Sequence, residues 1–422
     1  MAKKKNKPGP IRRFLSILGP GVITGAADDD PSGIATYSIA GAQLGTAMLW
    51  TALVTWPFMA AVQFMCARVG MVTGMGLGDA LRRKGPRWLL FGGALGLLIA
   101  NTINVGSDLS GMADAAEMLT GINSHLYVVI FGVSIAYATV RFRYHQIATI
   151  LKWLAAVLFA YVISGFVVGP NWSSVLRDTF VPSWPRNHAG WQNLVAILGT
   201  TISPYLFFWQ ASQEVEEEKA MGRRLLVQRE GATKREIVHR KIDIGAGTFF
   251  SNLVMYFIIL TTALTLHKNG VRDIETLKQA AEALRPLAGT LAYLFYTVGI
   301  IGVGFLAIPT LAGSAAYVFA ETFSWEEGLD EPFRGALPFY AVLIFSILLG
   351  IGMDFIGVNP VRALFWTAVI NGVLAPFLLV GVLIAASDRK LMKGQPSSWL
   401  SRMAVGAITL MMFGAAAAMF IL

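Results

Sequence analysis

"GAADDDPSGI", residues 25–34, places three consecutive carboxylates, Asp28, Asp29 and Asp30, directly ahead of Pro31 and Gly33. The stretches on either side, "FLSILGPGVIT" (14–24) and "ATYSIAGAQLGTAMLWTALV" (35–54), are apolar enough for lipid. An ionised carboxylate at bilayer depth costs about 2.5–3.5 kcal/mol even on a lenient insertion scale. Three in a row must therefore face water, an ion or a protein partner. Pro31 donates no backbone hydrogen bond and Gly33 tolerates unwound geometry. Irregular backbone at this depth persists only where it lines a cavity or is buried in protein. The stretch reads as a deliberately broken membrane helix.

The rest of the chain supplies the membrane context. Of 422 residues, 55% are hydrophobic and 14% charged, with a mean hydropathy of +0.59. Soluble domains carry nearer a quarter charged residues. The apolar stretch behind "MAKKKNKPGPIRRF" outruns a signal peptide and reads as a retained first span. The single cysteine, Cys66, excludes an internal disulfide framework or a cysteine-based metal site.

Apolar windows of roughly 18–25 residues qualify as spans. Eleven are expected, at 15–43, 46–69, 88–119, 126–141, 146–169, 190–214, 243–266, 287–322, 335–353, 360–387 and 398–421. Lys and Arg set the orientation. They crowd the N-terminus (Lys3, Lys4, Lys5, Lys7, Arg12, Arg13) and the loops after spans two, four and six. The N-terminus is therefore expected in the cytoplasm, and the net charge of +9 is mostly a topology signal. A nucleic-acid partner has no support in it; the expected partners are the bilayer and a small inorganic ion, for a chain acting as a monomer.

A second break answers the first. Span six, "LVAILGTTISPYLFFWQASQEVEEE" (194–218), is interrupted by Gly199, Thr200, Thr201, Ser203 and Pro204. Interrupted helices in matching positions of two halves point to a transporter built from inverted repeats, with the substrate between the breaks. The expected fold is an all-α integral membrane protein with two inverted five-helix repeats and broken helices one and six. A basic cytoplasmic N-terminus (1–14) leads into the repeats, 15–169 and 190–387, and 398–421 adds an eleventh helix.

"GPGVITGAADDDPSGIATYSIAGAQLG" (19–45) resembles the first-helix signature of the natural resistance-associated macrophage protein (NRAMP) family of divalent-metal transporters, a G-P-G followed by D-P-G-N. "VPSWP" (181–185) ahead of "AILGTTISPYLFFWQAS" (196–212) resembles its sixth helix, patterned G-A-T-x-M-P-H. "NVGSDLSGMADAAEMLTG" (104–121) and "NGVLAPFLL" (371–379) are similar to its third and tenth helices. The resemblance covers roughly 12–390.

Departures from the pattern bear on the substrate. D-P-G-N becomes Asp30-Pro31-Ser32-Gly33, which keeps the acid and loses the Asn ligand at Gly33. M-P-H becomes Ser203-Pro204-Tyr205, exchanging a thioether for a hydroxyl. A soft sulfur ligand favours transition metals. What remains is oxygen, from Asp30, Asp29, Ser203 and carbonyls near Ala27 and Thr200, in a site with extra room. Hard oxygen ligands with retained waters suit Mg²⁺. The chain looks closer to a magnesium-transporting branch related to the family, so the expected cargo is Mg²⁺ or Mn²⁺ and no resident cofactor is expected. Pro31, Gly33, Thr201, Pro204, Tyr205 and Gln210 complete the expected pocket.

The resemblance also implies weakened proton coupling. The family's two sixth-helix histidines fall on Tyr205 and Gln210, and the third-helix acidic pair keeps Asp108 but has Gly111 in the second place. All five histidines lie in or beside loops. Asp108 is expected either at a coupling site or paired with a base such as Lys152. The acids after the second break, Glu214, Glu216, Glu217 and Glu218, read as a solvated end of span six, with a cation-attracting mouth as the alternative.

Two other function classes stand beside this one. The pocket could hold a small anion such as bicarbonate on the hydroxyls of Thr200, Thr201, Ser203 and Tyr205 and on free helix N–H groups. The acids Asp28 to Asp30, with Thr310 and Ser314 of span eight, would then hold a coupling Na⁺. A channel or receptor is the other, against which the paired breaks argue. An enzyme is not expected: "GAGTFFSN" and "GLGD" lack the context of a phosphate loop, and no G-x-x-x-x-G-K-[ST] occurs.

Overall fold

The computed structural model describes residues 20–85, 87–142 and 156–422. The N-terminal segment 1–14 with its basic residues, the first residues of span one, and 143–155, which holds Arg143, His145, Lys152 and the start of span five, lie outside the described residues.

Span one is two helices, α1 (Pro20–Asp28) and α2 (Pro31–Leu44). Next come α3 (Leu49–Thr73), α4 (Arg87–Thr120), α5 (Ser124–Arg141) and α6 (Phe159–Val167). Span six is again two helices, α7 (His188–Thr201) and α8 (Pro204–Ala220). The chain closes with α9 (Lys234–Thr265), α10 (Ala292–Phe323), α11 (Leu337–Asp354), α12 (Pro360–Ser387) and α13 (Trp399–Ile421). Among the described residues, nine helical stretches are long and apolar enough to cross a membrane. The number is below eleven for two reasons: Pro31–Thr73 joins the second half of span one to span two, and span five is described only from residue 156.

Each break has a local cause. Asp30 sits at φ −63°, ψ 169° as the N-cap of α2, and Pro31 follows at the first helical position, where its missing N–H costs nothing. The second break runs through Ile202 (φ −122°, ψ 60°) to Ser203 (ψ 130°), again with a proline opening the next helix. The caps differ. Asp30 caps forward, accepting from the Gly33 amide, whereas the Ser203 hydroxyl donates backward to the carbonyls of Gly199 (3.0 Å) and Thr200 (2.6 Å).

Packing exchanges the two halves. α2 lies on α9 as α8 lies on α3, α3 meets α9, and α4 meets α10. The pairing of α4 with α5 is answered by α10 with α11. This is the inverted-repeat arrangement expected from the paired breaks. The apolar stretch of span six is wholly buried, while α5 is largely exposed, so the breaks lie at the centre and α5 faces lipid. Close approach depends on glycine: a Cβ on Gly25 of α1 would lie 2.5 Å from the carbonyl carbon of Gly247 in α9. Small residues let membrane helices come this near.

Candidate functional site

The first break presents its three carboxylates to two different helices, because successive residues diverge. Asp30 is 1% exposed. Its Oδ1 accepts from the Gly33 amide and the Ser32 hydroxyl, each at 2.7 Å, and its Oδ2 accepts from Asn104 Nδ2 of α4 at 3.2 Å. The other end of that amide, Asn104 Oδ1, is buried without a hydrogen-bond partner. One turn on, Asp108 is fully buried and both its carboxylate oxygens lack a partner. Asp30 and the backbone of Ser32 are among its electrostatic neighbours. One face of α4 thus adds three acceptor oxygens beside Asp30, to which no side chain among the described residues donates.

Asp28 and Asp29 turn to α9 instead. The Ser251 hydroxyl lies 2.9 Å from Asp28 Oδ2 and 3.1 Å from Asp29 Oδ1. Among the described residues, no Lys, Arg or His forms an ion pair with Asp28, Asp29, Asp30 or Asp108. The suggested partner of Asp108, Lys152, lies outside them. Among them, too, no three His, Cys, Asp or Glu side chains gather as a metal-holding group. Any cation here would be held by one or two carboxylates with amide, hydroxyl and carbonyl oxygens.

The second break closes onto the first. Tyr205 donates its hydroxyl to the Ala27 carbonyl at 3.1 Å, and Thr201 donates to Ile197 O at 2.7 Å. The carbonyls of Ala27 and Thr200 therefore each accept one hydrogen bond and keep a second lone pair. The room expected beside Gly33 is taken: a Cβ there would lie 3.1 Å from Thr200 Oγ1 and 3.2 Å from the Asp28 carbonyl oxygen.

Three other expectations find their places. Ser314 accepts from Asn101 Nδ2 at 2.7 Å and donates to Leu311 O, so it joins α10 to α4. Thr310 donates to Leu306 O at 3.0 Å. Gln210 donates to Glu214 Oε1 at 2.8 Å, which leads away from the breaks rather than into them.

The solvated end of span six is corrected. Glu214 is 2% exposed, and Glu216 and Glu218 are buried with it. Arg240 of α9 holds Glu214 at 2.7 Å and Asp243 at 2.6 Å, and also pairs with Glu217. Asp243 accepts from the Gly21 and Val22 amides at the start of α1. A single buried guanidinium thus ties α1, α8 and α9 together on the side where α1 begins.

Sequence reading missed Asn104, Ser251 and Arg240. Asn104 sits one turn before Asp108, and that spacing within an apolar helix was the available signal. Ser251 and Arg240 gave none, because their partners are distant in the chain.

Comparison with known proteins agrees with this geometry. The family model described as "Natural resistance-associated macrophage protein-like" matches residues 21–422. The divalent metal cation transporter MntH of Caldanaerobacter subterraneus is 27% identical over 406 residues, 91% of this chain and 87% of its own. That of Deinococcus radiodurans is 24% identical over 402 residues, covering 91% and 85%. Among solved structures, the manganese transporter of Eremococcus coleocola superposes with a TM-score of 0.73 at 16% identity, covering 98% of this chain and 88% of that one. At that identity the likeness speaks for the fold. The chain is a multi-pass membrane protein of the natural resistance-associated macrophage protein-like family, a family of transporters and not of enzymes.

Proposed function

We propose that this chain is a secondary-active, alternating-access transporter of a hard divalent cation, Mg²⁺ or Mn²⁺ or both, in the plasma membrane with its N-terminus cytoplasmic. The observation that carries this is the buried oxygen cluster on α4 at the first break. Asp30 Oδ2, Asn104 Oδ1 and both oxygens of Asp108 bring lone pairs together with no positive side chain among the described residues to meet them. Such groups are costly in a low-dielectric interior unless a cation joins them. Every donor is oxygen, which suits hard ions. Relatives named as divalent metal cation transporters support the same class.

Transport is read as independent of a proton gradient, since Tyr205 and Gln210 stand where the family pattern has histidines. The small-anion alternative finds no support. The hydroxyls of Thr201, Ser203 and Tyr205 already donate to Ile197, Gly199, Thr200 and Ala27 carbonyls, and Pro204 brings no N–H to the start of α8. The test is uptake into proteoliposomes of Mg²⁺, Mn²⁺ and bicarbonate, with and without a pH gradient. Saturable divalent uptake indifferent to pH is expected; bicarbonate uptake without divalent uptake overturns the reading.

A further inference from the structure

The Asp28–Ser251–Asp29 contact does not balance in hydrogens. A serine hydroxyl has one proton to donate, and an ionised carboxylate has none. Ser251 Oγ nevertheless lies within hydrogen-bond distance of both carboxylates, at 2.9 and 3.1 Å. One of the two contacts is therefore acceptor against acceptor. Asp28 is fully buried, and its second oxygen, Oδ1, has no partner. Four residues earlier, on the same face of α1, the hydroxyl of Thr24 is also fully buried and unpartnered. A proton on one carboxyl would settle a single contact and leave Asp28 Oδ1 and Thr24 Oγ1 as they are. A coordinated cation accounts for all of them.

Among the described residues, no basic side chain pairs with Asp28 or Asp29. The buried basic group on α9 is Arg240, and it is engaged by Glu214, Glu217 and Asp243. The Asp30 carboxylate meets Asn104 of α4, whereas Asp28 and Asp29 meet Ser251 of α9, so the two sets have different partners. Mg²⁺ keeps several waters and demands near-octahedral geometry. The backbone contact of Gly25 with Gly247, one turn from Asp28 and Ser251 respectively, leaves little space for such a shell. A monovalent ion sheds its water more readily and fits irregular oxygen sets.

We propose that Asp28, Asp29, Ser251 and Thr24 form a second cation site, distinct from the Asp30 cluster, that takes a monovalent hard cation of the Na⁺ class. Its occupant bridges α1 to α9 and so favours the state in which the α1 side is shut. The proposal rests on the transporter reading for its role in coupling, while the site itself can be tested without any transport measurement.

The test is equilibrium binding of radiolabelled Na⁺ to the purified full-length protein in detergent, in a choline background without divalent ions. Saturable binding, competed weakly by K⁺, is expected. Asp28→Asn and Ser251→Ala each lower the Na⁺ affinity at least about tenfold, close to the effect of one good ligand. Asp30→Asn keeps Na⁺ binding while losing Mn²⁺ binding, which separates the two sites and shows that a failed divalent reading need not take this one with it. The proposal is overturned by absence of saturable Na⁺ binding. It is equally overturned if folded, monodisperse Ser251→Ala binds Na⁺ as wild type does, or if Asp30→Asn removes Na⁺ and Mn²⁺ together.

Discussion

Tyr205 donates its phenolic hydroxyl to the main-chain carbonyl of Ala27 at 3.1 Å, so the second helix break is hydrogen-bonded directly to the first. The bond joins the two repeats beside their breaks, and it uses a carbonyl freed by the end of α1. Opening either broken helix requires it to part. Tyr205→Phe removes the hydroxyl and nothing else, at a cost of about 1 kcal/mol. The expected result is a protein that folds normally and takes up divalent ions several-fold more slowly or with weaker affinity. Initial uptake rates against concentration check this, and unchanged kinetics would show the bond to be incidental.

Arg240 makes a sharper case. Replacing it with Ala leaves Glu214 and Asp243 buried without their counter-charge, and breaking a buried pair from one side costs about 3–5 kcal/mol. Arg240→Ala is therefore expected to lower the thermal midpoint in detergent markedly and to expose the α1 side. A cysteine placed at Val22, half-buried at the start of α1, should react faster with a membrane-impermeant thiol reagent in that background. Equal labelling with and without Arg240 would mean that the network does not hold this side closed.

Gly25→Val tests the helix contact that sets the Asp28–Ser251 geometry. With a Cβ 2.5 Å from the Gly247 carbonyl carbon, α1 must move off α9, and overpacking of this kind costs about 1–3 kcal/mol. Reduced thermal stability together with lost transport is expected. Gly245→Val, where a Cβ meets nothing within 4 Å, is the control that should behave as wild type.

Glu327, in the connection after α10, gives a pH prediction. Burial away from water, reinforced by Glu321 and Asp79, pushes its carboxyl well above the usual range, and its Oε2 has no hydrogen-bond partner. A carboxyl raised in the folded state holds its proton there more tightly than in the unfolded chain. Its contribution is present below the unfolded value of about 4.3 and is lost as pH rises toward the folded value. Glu327→Gln should therefore raise the thermal midpoint near pH 8 and change it little near pH 5. A stabilisation equal at both pH values would rule out this residue as the source.

The breaks were legible in the sequence because their residues act locally: Asp30 caps and Pro31 opens α2, while Ser203 ties back to the end of α7 and Pro204 opens α8. The inverted arrangement followed from their matching positions. The second layer was not legible. Glu214 looked solvated because four acids cluster at the end of span six, and only packing shows that Arg240, 26 residues on, neutralises it. Ser251 carries no signal of its own in an apolar helix; its meaning comes from the glycine contact that brings α1 to it. Gly33 was read as making room, whereas Thr200 lies close against it in the structure.

Ser203→Met addresses selectivity. It restores a polarisable sulfur at the second break, and thioether ligands favour softer ions. Competition uptake should shift from Mg²⁺ toward Mn²⁺ and other transition metals. An unaltered Mg²⁺-to-Mn²⁺ ratio in a folded variant would place Ser203 outside the ion's coordination shell.

The central claim is that a divalent cation is bound at Asp30, and proteoliposome uptake of Mn²⁺ and Mg²⁺ by wild type and Asp30→Ala tests it most directly. The account predicts saturable uptake by the wild type, unaffected by an imposed pH gradient, and none by a folded Asp30→Ala protein. Uptake retained in Asp30→Ala would contradict it.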